Sequence, residues 1–462
     1  MHELAEIDAD LIRKFDRNGP RYTSYPTADR FVEAYGEAEH AAWLGRRAVG
    51  GFARPLSVYV HIPFCAQLCY YCACNKVITR DHGRSAKYLR YLGREMQLLG
   101  EHLDGSRRIS QLHWGGGSPT FLSGAEMRGL MQMLHENFSF DPEGEYSIEI
   151  DPRTSNEAAI ATLAEIGFNR MSLGVQDHDP DVQKAIHRVQ PPELTRAALQ
   201  AARRHGFSSI NFDLIYGLPL QTEKSFTRTL DEVIDCRPDR IALYSYAHLP
   251  TRFKAQRRID DHGVPGADAK LGVFLLALRR LTDAGYVYIG MDHFALPEDG
   301  LVRALNNGRL HRNFQGYTTQ SECDLLSLGV SAISKIGPTY CQNVHQLDEY
   351  YDCLDHGRLP VARGIQLTAD DLVRRAVIMA LMCQGELAIE SIEIGHLIDF
   401  RRYFSEELEQ LRRFEEAGLL EMDSQWITVT PRGRFFLRGI AMVFDRYLQD
   451  AQAPGGRYSR LI

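Results

Sequence analysis

From residue 56 to about residue 249 the chain alternates short apolar runs with longer amphipathic ones. LSVYVHIPF (residues 56–64) sets β-branched and aromatic residues at alternate positions and predicts a strand. ISQLHWGGG (109–117), EYSIEIDP (145–152), RMSLGVQD (170–177), SINFDLIYGLP (209–219) and RIALYSYAHLP (240–250) predict five more. Between them, SAKYLRYLGREMQLLGEHL (85–103) and GAEMRGLMQMLHENF (124–138) carry apolar residues three and four apart, the period of a helix face. Strand and helix in repetition mean βαβ units and a parallel sheet. Six units fall short of the eight of a closed barrel. The expected fold is therefore α/β, an open or partial (β/α)6 barrel. A doubly wound open sheet is the alternative that strand counting leaves open.

The flanks read differently. Residues 1–55 form an N-terminal extension; its NGPRYTSYPTADRF stretch (18–31) carries turn signals and no helical period. After residue 250, AKLGVFLLALRRLTDAG (269–285) predicts a helix, YVYIGMDHF (286–294) one more strand and HRNFQGYTTQ (311–320) a loop. The barrel with its substrate-facing loops is expected over residues 56–350. From 360 to 462, DDLVRRAVIMALMC (370–383), SEELEQLRRFEEAGLLE (405–421) and WITVTPRG (426–433) predict a small, mostly helical α+β domain, read as packing and substrate cover.

Composition narrows the class. With 462 residues, 44% hydrophobic and 24% charged, the chain is long enough to bury a large core without staples. Sixty acidic against 53 basic residues leave a net charge of -7, so no general basic field favours nucleic acid. No apolar stretch approaches the ~20 residues of a membrane span. The opening MHELAEIDADLIRKF lacks an apolar signal core, which points to a cytosolic protein. Nine cysteines then sit in a reducing compartment, where clustering favours metal or catalysis over disulfides.

Four of the nine fall in CAQLCYYCAC: Cys65, Cys69, Cys72 and Cys74. Soft thiolates at this spacing, on a loop just after a strand, select zinc or an iron–sulfur cluster. Structural zinc wants four ligands, usually in two separated pairs. A Cys-x3-Cys-x2-Cys run without a second pair fits a [4Fe–4S] cluster with one open iron. Zinc is the alternative, and Cys74 is an awkwardly spaced candidate for a fourth ligand. The other five, Cys236, Cys323, Cys341, Cys353 and Cys383, are scattered and read as buried small hydrophobes.

Two further patterns join the cysteines. Gly115, Gly116 and Gly117 follow the second strand, where glycines let backbone approach a ligand. Several strands also end in polar residues: Glu149, Gln176, Asp213, and Tyr244, Tyr246 and His248. Each alone is an ordinary cap or satisfied polar group. Together, at the C-terminal ends of parallel strands, they converge on one mouth. Carboxylates there suit an amine or ribose hydroxyls, and Arg188 suits a carboxylate.

These motifs resemble those of the radical S-adenosylmethionine (SAM) superfamily, with Tyr71 at the aromatic position before the third cysteine. The resemblance extends to one family, the oxygen-independent coproporphyrinogen III oxidases of haem biosynthesis. RYTSYPTA, YVHIPFC, CYYCACNK, QLHWGGGSPTFL, SIEIDPR, GFNRMSLGVQD, NFDLIYGLP, YAHLP, GMDHFA, HRNFQGYTTQ and LGVSAIS follow in that family's order, from near Arg21 to near Ser334, and RYSRLI closes the chain.

The resemblance implies a [4Fe–4S] cluster on Cys65, Cys69 and Cys72, with Cys74 outside the ligand set. It implies two SAM molecules: one at the open iron, met by Tyr59, Gly116 and Glu149, and a second met by Gly117, Ser118, Gln176, Arg188, Asp213, Ala247 and Ile333. The implied reaction turns two propionates of coproporphyrinogen III into vinyl groups, through a 5′-deoxyadenosyl radical that removes a hydrogen atom from each β-carbon. An electron donor and an acceptor, both unidentified, are implied too; nucleic acid and membrane are not, and a monomer suffices. RYTSYPTA resembles a segment that closes over substrate, and Phe314 and Gln315 lie in a segment near the active site.

The substrate carries four carboxylates on an apolar macrocycle, so its site needs basic residues and aromatic walls. Arg21, Arg153, Arg312 and Lys335 lie near the recognised segments, beside Tyr22, Tyr25 and Phe314. Two other readings compete. A haem-binding chaperone of the same superfamily is expected to lack Cys74, Arg188, the RYTSYPTA extension and HRNFQGYTT; this chain has all four. A structural zinc protein accounts for the cysteines but not for the glycines or the strand-end polar set.

Overall fold

The run LSVYVHI forms a strand, β1 (Leu56–Ile62), whose even-numbered residues are fully buried. Five units follow it. They are α1 (His82–His102), β2 (Arg108–Gly116), α2 (Gly124–Asn137), β3 (Ser139–Ile150), α3 (Glu157–Glu165), β4 (Arg170–Gln176), α4 (Pro192–Arg204), β5 (Ser209–Tyr216), α5 (Glu223–Cys236) and β6 (Arg240–Ser245). The helices start where the sequence provides caps. Ser123 and Glu126 form a capping box on α2, Thr222 and Ser225 one on α5, and Asp81 caps α1. The computed structural model describes residues 9–15, 17–48, 54–320 and 323–449; the opening residues 1–8 and the closing RYSRLI lie outside the described residues.

Strands β1 to β6 lie side by side in chain order, each parallel to the next. A doubly wound sheet reverses its strand order at a switch point. No reversal occurs across β1–β6, so the partial barrel is the architecture. Successive helices pack on one another, α1 on α2, α2 on α3, and on to α6 (Ala267–Asp283) against α5.

The sheet is wider than six strands. On the far side of β1 lies β7 (Asp324–Leu328), parallel to it, followed by antiparallel β8 (Ile333–Ile336), β9 (Thr339–Asn343) and β10 (Val361–Gln366). β7 and β9 are short and buried throughout, so they lack the polar alternation that marks a strand in sequence; β8 and β10 are short and only partly buried. Buried Glu95 of α1 anchors this edge. It accepts hydrogen bonds from the Gly329 amide, Asn343 Nδ2 and the Tyr350 hydroxyl of α7 (Leu347–Asp355) at 2.6–2.7 Å.

The chain divides into two compact units. Residues 31–286 and 322–366 hold the barrel. The N-terminal extension is shared: from Phe31 it belongs to the barrel unit, where Phe31 stacks on Tyr340 and Val32 bridges Gly364. Residues 1–30, 287–321 and 367–462 make the other unit. There Phe15 stacks on Phe414, and the Tyr22 hydroxyl donates to Asp445 at 2.9 Å. Its core includes helix Ala369–Gln384, capped by Thr368 and closed by left-handed Gly385, beside a small antiparallel sheet of residues 386–388, 420–422 and 426–429.

Two local expectations change. YVYIGMDHF is a hairpin of two short strands, Val287–Gly290 and His293–Ala295, because Met291 and Asp292 adopt positive φ and turn the chain. HRNFQGYTTQ is also a hairpin, His311–Asn313 with Gly316–Thr318, rather than a loop. Three-residue strands are too short to show a period.

Candidate active site

A parallel sheet covered on both faces reads as continuously apolar. The barrel strands do not. Val58, Leu112, Trp114, Ile148, Leu173 and Phe212 are fully buried. The alternate residues Ser57, Tyr59, Gln111, His113, Ser147, Glu149, Ser172, Asn211 and Asp213 form a polar row across five strands. An interior lined this way suits a polar ligand better than a packed core.

The row is wired. His113 stacks on Tyr59 and reaches Ser147 Oγ at 2.6 Å and Glu149 Oε1 at 3.2 Å. The Gly116 amide donates to Glu149 Oε2 at 3.2 Å. Burial works against ionisation of Glu149, but the His113 hydrogen bond and charge and the Gly116 amide outweigh it, so its carboxyl titrates below the ordinary range. At 44% exposure the side chain still has room for a ligand's cationic amine. Two strands on, Asp213 accepts from Ser172 Oγ and Asn211 Nδ2 at 2.7 and 2.8 Å. Burial and then the Glu149 charge push it up to about 6 against those bonds.

The cysteines leave the C-terminal end of β1 on a loop that is pinned at several points. The Tyr70 amide donates to Ile186 O, His187 Nδ1 meets Leu68 O at 2.7 Å, and Tyr70 stacks on His187. Tyr71 packs against an apolar cluster of Val182, Ile186, Ile215, Leu218, Tyr246 and Ile259. Tyr246, expected among the strand-end polar groups, is thus part of the loop's support, and its hydroxyl is 2.8 Å from His248 Nδ1. The glycine run seats the base of the loop. Gly116 has φ +114 and lies where a Cβ would strike His61; a Cβ on Gly117 would strike the Pro63–Phe64 backbone at 2.7–2.8 Å. Ser118 joins Cys65, Gln67, His82 and Asp151 around a cavity of about 340 Å³.

The sulfurs fit a metal cluster. Burial, Cys72 and Cys69 push the Cys65 thiol up to about 12, so three thiolates side by side need a compensating positive charge. Lys76 Nζ donates to the carbonyls of Cys72 and Cys74 at 2.9 and 3.3 Å. Among the described residues no three His, Cys, Asp or Glu side chains gather as around a single ion. All nine cysteines are free; Cys323, Cys341 and Cys383 are buried as expected, while Cys236 and Cys353 are only partly so.

Arg188 is no surface arginine. Its side chain is 6% exposed, donates to Gly174 O at 2.6 Å and to Asp151 at 3.2 Å, and leaves Nε without a partner, a buried donor facing no acceptor. Gln176, at φ +67, folds back beside it over Gly174. Ala247 lies just past β6 and Ile333 opens β8, where its carbonyl accepts from Ser327 Oγ. Phe314 and Gln315 belong to the other unit.

A radical SAM superfamily model matches residues 59–233, and a HemN C-terminal domain model matches 367–436. The oxygen-independent coproporphyrinogen III oxidase of Pseudomonas aeruginosa is 52% identical over the whole of both chains, and that of Escherichia coli 47% over 99% of this chain and all of its own. The chain belongs to the oxygen-independent coproporphyrinogen III oxidase family. The solved structure of coproporphyrinogen III oxidase (HemN) from Escherichia coli, a radical SAM enzyme, superposes with a TM-score of 0.91. It is 46% identical, covering 96% of this chain and all of that one. Membership in this radical SAM family brings with it a [4Fe–4S] cluster and SAM.

Sequence reasoning missed His61, His113, Ser147, Asp151, Ser172 and Asn211. Five of them are the polar half of an alternation in LSVYVHI, ISQLHW, EYSIEI, RMSLGVQ and SINFDLIY, which singles none of them out, and Asp151 follows the third of these runs.

Proposed function

We propose that this chain catalyses the oxidative decarboxylation of two propionates of coproporphyrinogen III to vinyl groups, yielding protoporphyrinogen IX in oxygen-independent haem biosynthesis. The supporting observation is a pinned three-cysteine loop beside a wired polar barrel interior, in a chain that matches the family end to end. When bound, the cluster and SAM supply one-electron cleavage of SAM and a carbon-centred radical that abstracts hydrogen. Each propionate then gives up carbon dioxide, a hydrogen atom and an electron, the last to an acceptor not identified.

In this reading Cys65, Cys69 and Cys72 hold the cluster. Tyr59, Gly116 and Glu149 receive the first SAM, the Glu149 carboxylate taking its amine. Gly117, Ser118, Gln176, Arg188, Asp213, Ala247 and Ile333 receive a second SAM, with Arg188 Nε as the natural partner of its carboxylate. Among the four basic candidates for propionates, Arg153 is already engaged by Asp151. Arg312 is the better fit. It is 4% exposed, lies over the Tyr317 ring, and its Nε and Nη1 have no partner. Arg21, Arg312 and Arg438 act on one buried acid, Asp292, leaving an excess of positive charge that suits a carboxylate.

We propose a cytosolic monomer; among the described residues no helix is long and apolar enough to cross a membrane. The test is anaerobic: reconstitute with iron and sulfide, reduce, add SAM and coproporphyrinogen III, and follow protoporphyrin and 5′-deoxyadenosine. Both products together are expected. Stoichiometric haem binding with neither product, from a protein with an intact cluster, would favour the haem-binding relative instead.

A further inference from the structure

The guanidinium of Arg153 is committed on three sides. Nε donates to Asp151 Oδ1 at 3.0 Å, and Nη2 to Asp151 Oδ2 at 2.6 Å. Nη1 donates to Gln67 Oε1 at 3.3 Å, on the cysteine loop. Nη2 also reaches the Cys69 sulfur at 3.4 Å. Arg188 approaches the same sulfur from the segment after β4, with Nη1 at 3.6 Å, and both of its terminal nitrogens sit 3.2 Å from the Asp151 carboxylate. All three charged side chains are 14% exposed or less. Two guanidiniums and one carboxylate therefore bracket one sulfur, with a net charge of about +1 in a site where water screens little.

That arrangement has a consequence for a redox centre. Reduction adds one negative charge to a cluster. Hydrogen bonds to its sulfurs and nearby positive charge stabilise the reduced form more than the oxidised one, and so raise the potential. Burial acts the other way, because it penalises the more highly charged state. Asp151 keeps the two buried guanidiniums from repelling each other, but cancels only one of them.

We infer that Arg153 is a positioning residue for the cluster: with Arg188 it hydrogen-bonds the Cys69 thiolate, and the Arg153–Asp151–Arg188 group raises the cluster's reduction potential. The inference rests on the proposal that Cys69 is a cluster ligand. It removes Arg153 from the candidates for propionate binding and gives Asp151, on no expected site, a defined role.

The test is a potentiometric titration, without substrate, of the reconstituted full chain, followed by electron paramagnetic resonance. Arg153→Gln is expected to lower the midpoint and Asp151→Asn to raise it, both with native iron and sulfide content. A loosened loop would shift the two variants the same way, so opposite shifts are the electrostatic signature. Shifts of the same sign, or none, overturn the inference. If Arg153→Gln fails to load, Asp151→Asn decides alone, and a midpoint that does not rise overturns it. Failure of both to load overturns it in favour of a purely structural clamp. Cys69→Ser tests the reading beneath. An intact cluster in that variant refutes the ligand assignment, whereas a lost cluster with unmoved midpoints in the other two refutes only the role of Arg153.

Discussion

Glu149 shows how one residue is tuned by its neighbours. Its carboxylate is held ionised by His113 and the Gly116 amide although burial opposes the charge. A carboxylate so arranged binds a cationic amine at no cost in deprotonation near neutral pH. Glu149→Gln keeps the shape and removes the charge. It is expected to weaken SAM binding about tenfold or more, the scale of a charge-assisted hydrogen bond, with the cluster's spectrum retained. Equilibrium dialysis of SAM against the reconstituted variant checks this; unchanged affinity would remove Glu149 from the SAM site. Arg312→Met should raise KM for coproporphyrinogen III about tenfold or more while leaving cluster content intact, measured by initial rates at varied substrate. Glu149 was legible as the polar end of an apolar strand. His113 was not, because a histidine in mid-strand reads as one half of an ordinary alternation until its neighbours on the next strands are known. Arg312 was legible only as a charge near a recognised segment; its unpaired nitrogens are a property of packing.

At the scale of elements, the cysteine loop depends on parts far away in sequence. Its base is fixed by the glycine run that ends β2 and follows it, and its middle by the segment from Ile186 to Arg188. Gly117→Ala puts a methyl group against the Pro63–Phe64 backbone, which has no flexible end to yield. The expected result is a folded barrel with a displaced loop: near-native circular dichroism, but iron and sulfide content cut at least severalfold after reconstitution. Full loading would show that the loop tolerates a shift at its base. The strand–helix alternation made β1–β6 and their helices readable, since each strand is bounded by turns and most of the helices by a period and a cap. The strand order, which decides barrel over doubly wound sheet, was not readable, because it is set by which edges meet and not by any one run. Strands β7–β10 escaped for a different reason. Each is four to six residues long, two are buried throughout, and β7 pairs with β1 across more than 260 residues of sequence.

For the whole molecule, buried titratable groups of the barrel unit set how stability responds to pH. His40 and His178 are buried, and burial lowers both to about 4. Unfolding restores them to about 6.5, so between those values the unfolded chain binds more protons and stability falls as the pH falls. Glu95 acts in the opposite sense. Burial raises it to about 7, despite its bonds from Tyr350, Gly329 and Asn343. Between about 4.5 and 7 the folded chain binds the extra proton, so Glu95 contributes stability at low pH that is lost as the pH rises. From pH 5 to 6 the two histidines take up about two protons on unfolding, and Glu95, together with Asp213 raised to about 6, gives up nearly as many. Through these four groups, acidification across that window should therefore change the barrel unit's stability little. Glu95→Gln removes that residue's opposing contribution. It should steepen the acid slope by about 1 kcal/mol per pH unit, whatever constant penalty the amide brings by facing Asn343. Denaturant unfolding of both proteins at pH 5, 5.5 and 6 measures the slopes. Parallel slopes would mean that Glu95 is already ionised in the folded barrel, and that the edge it anchors carries a buried charge balanced by hydrogen bonds alone.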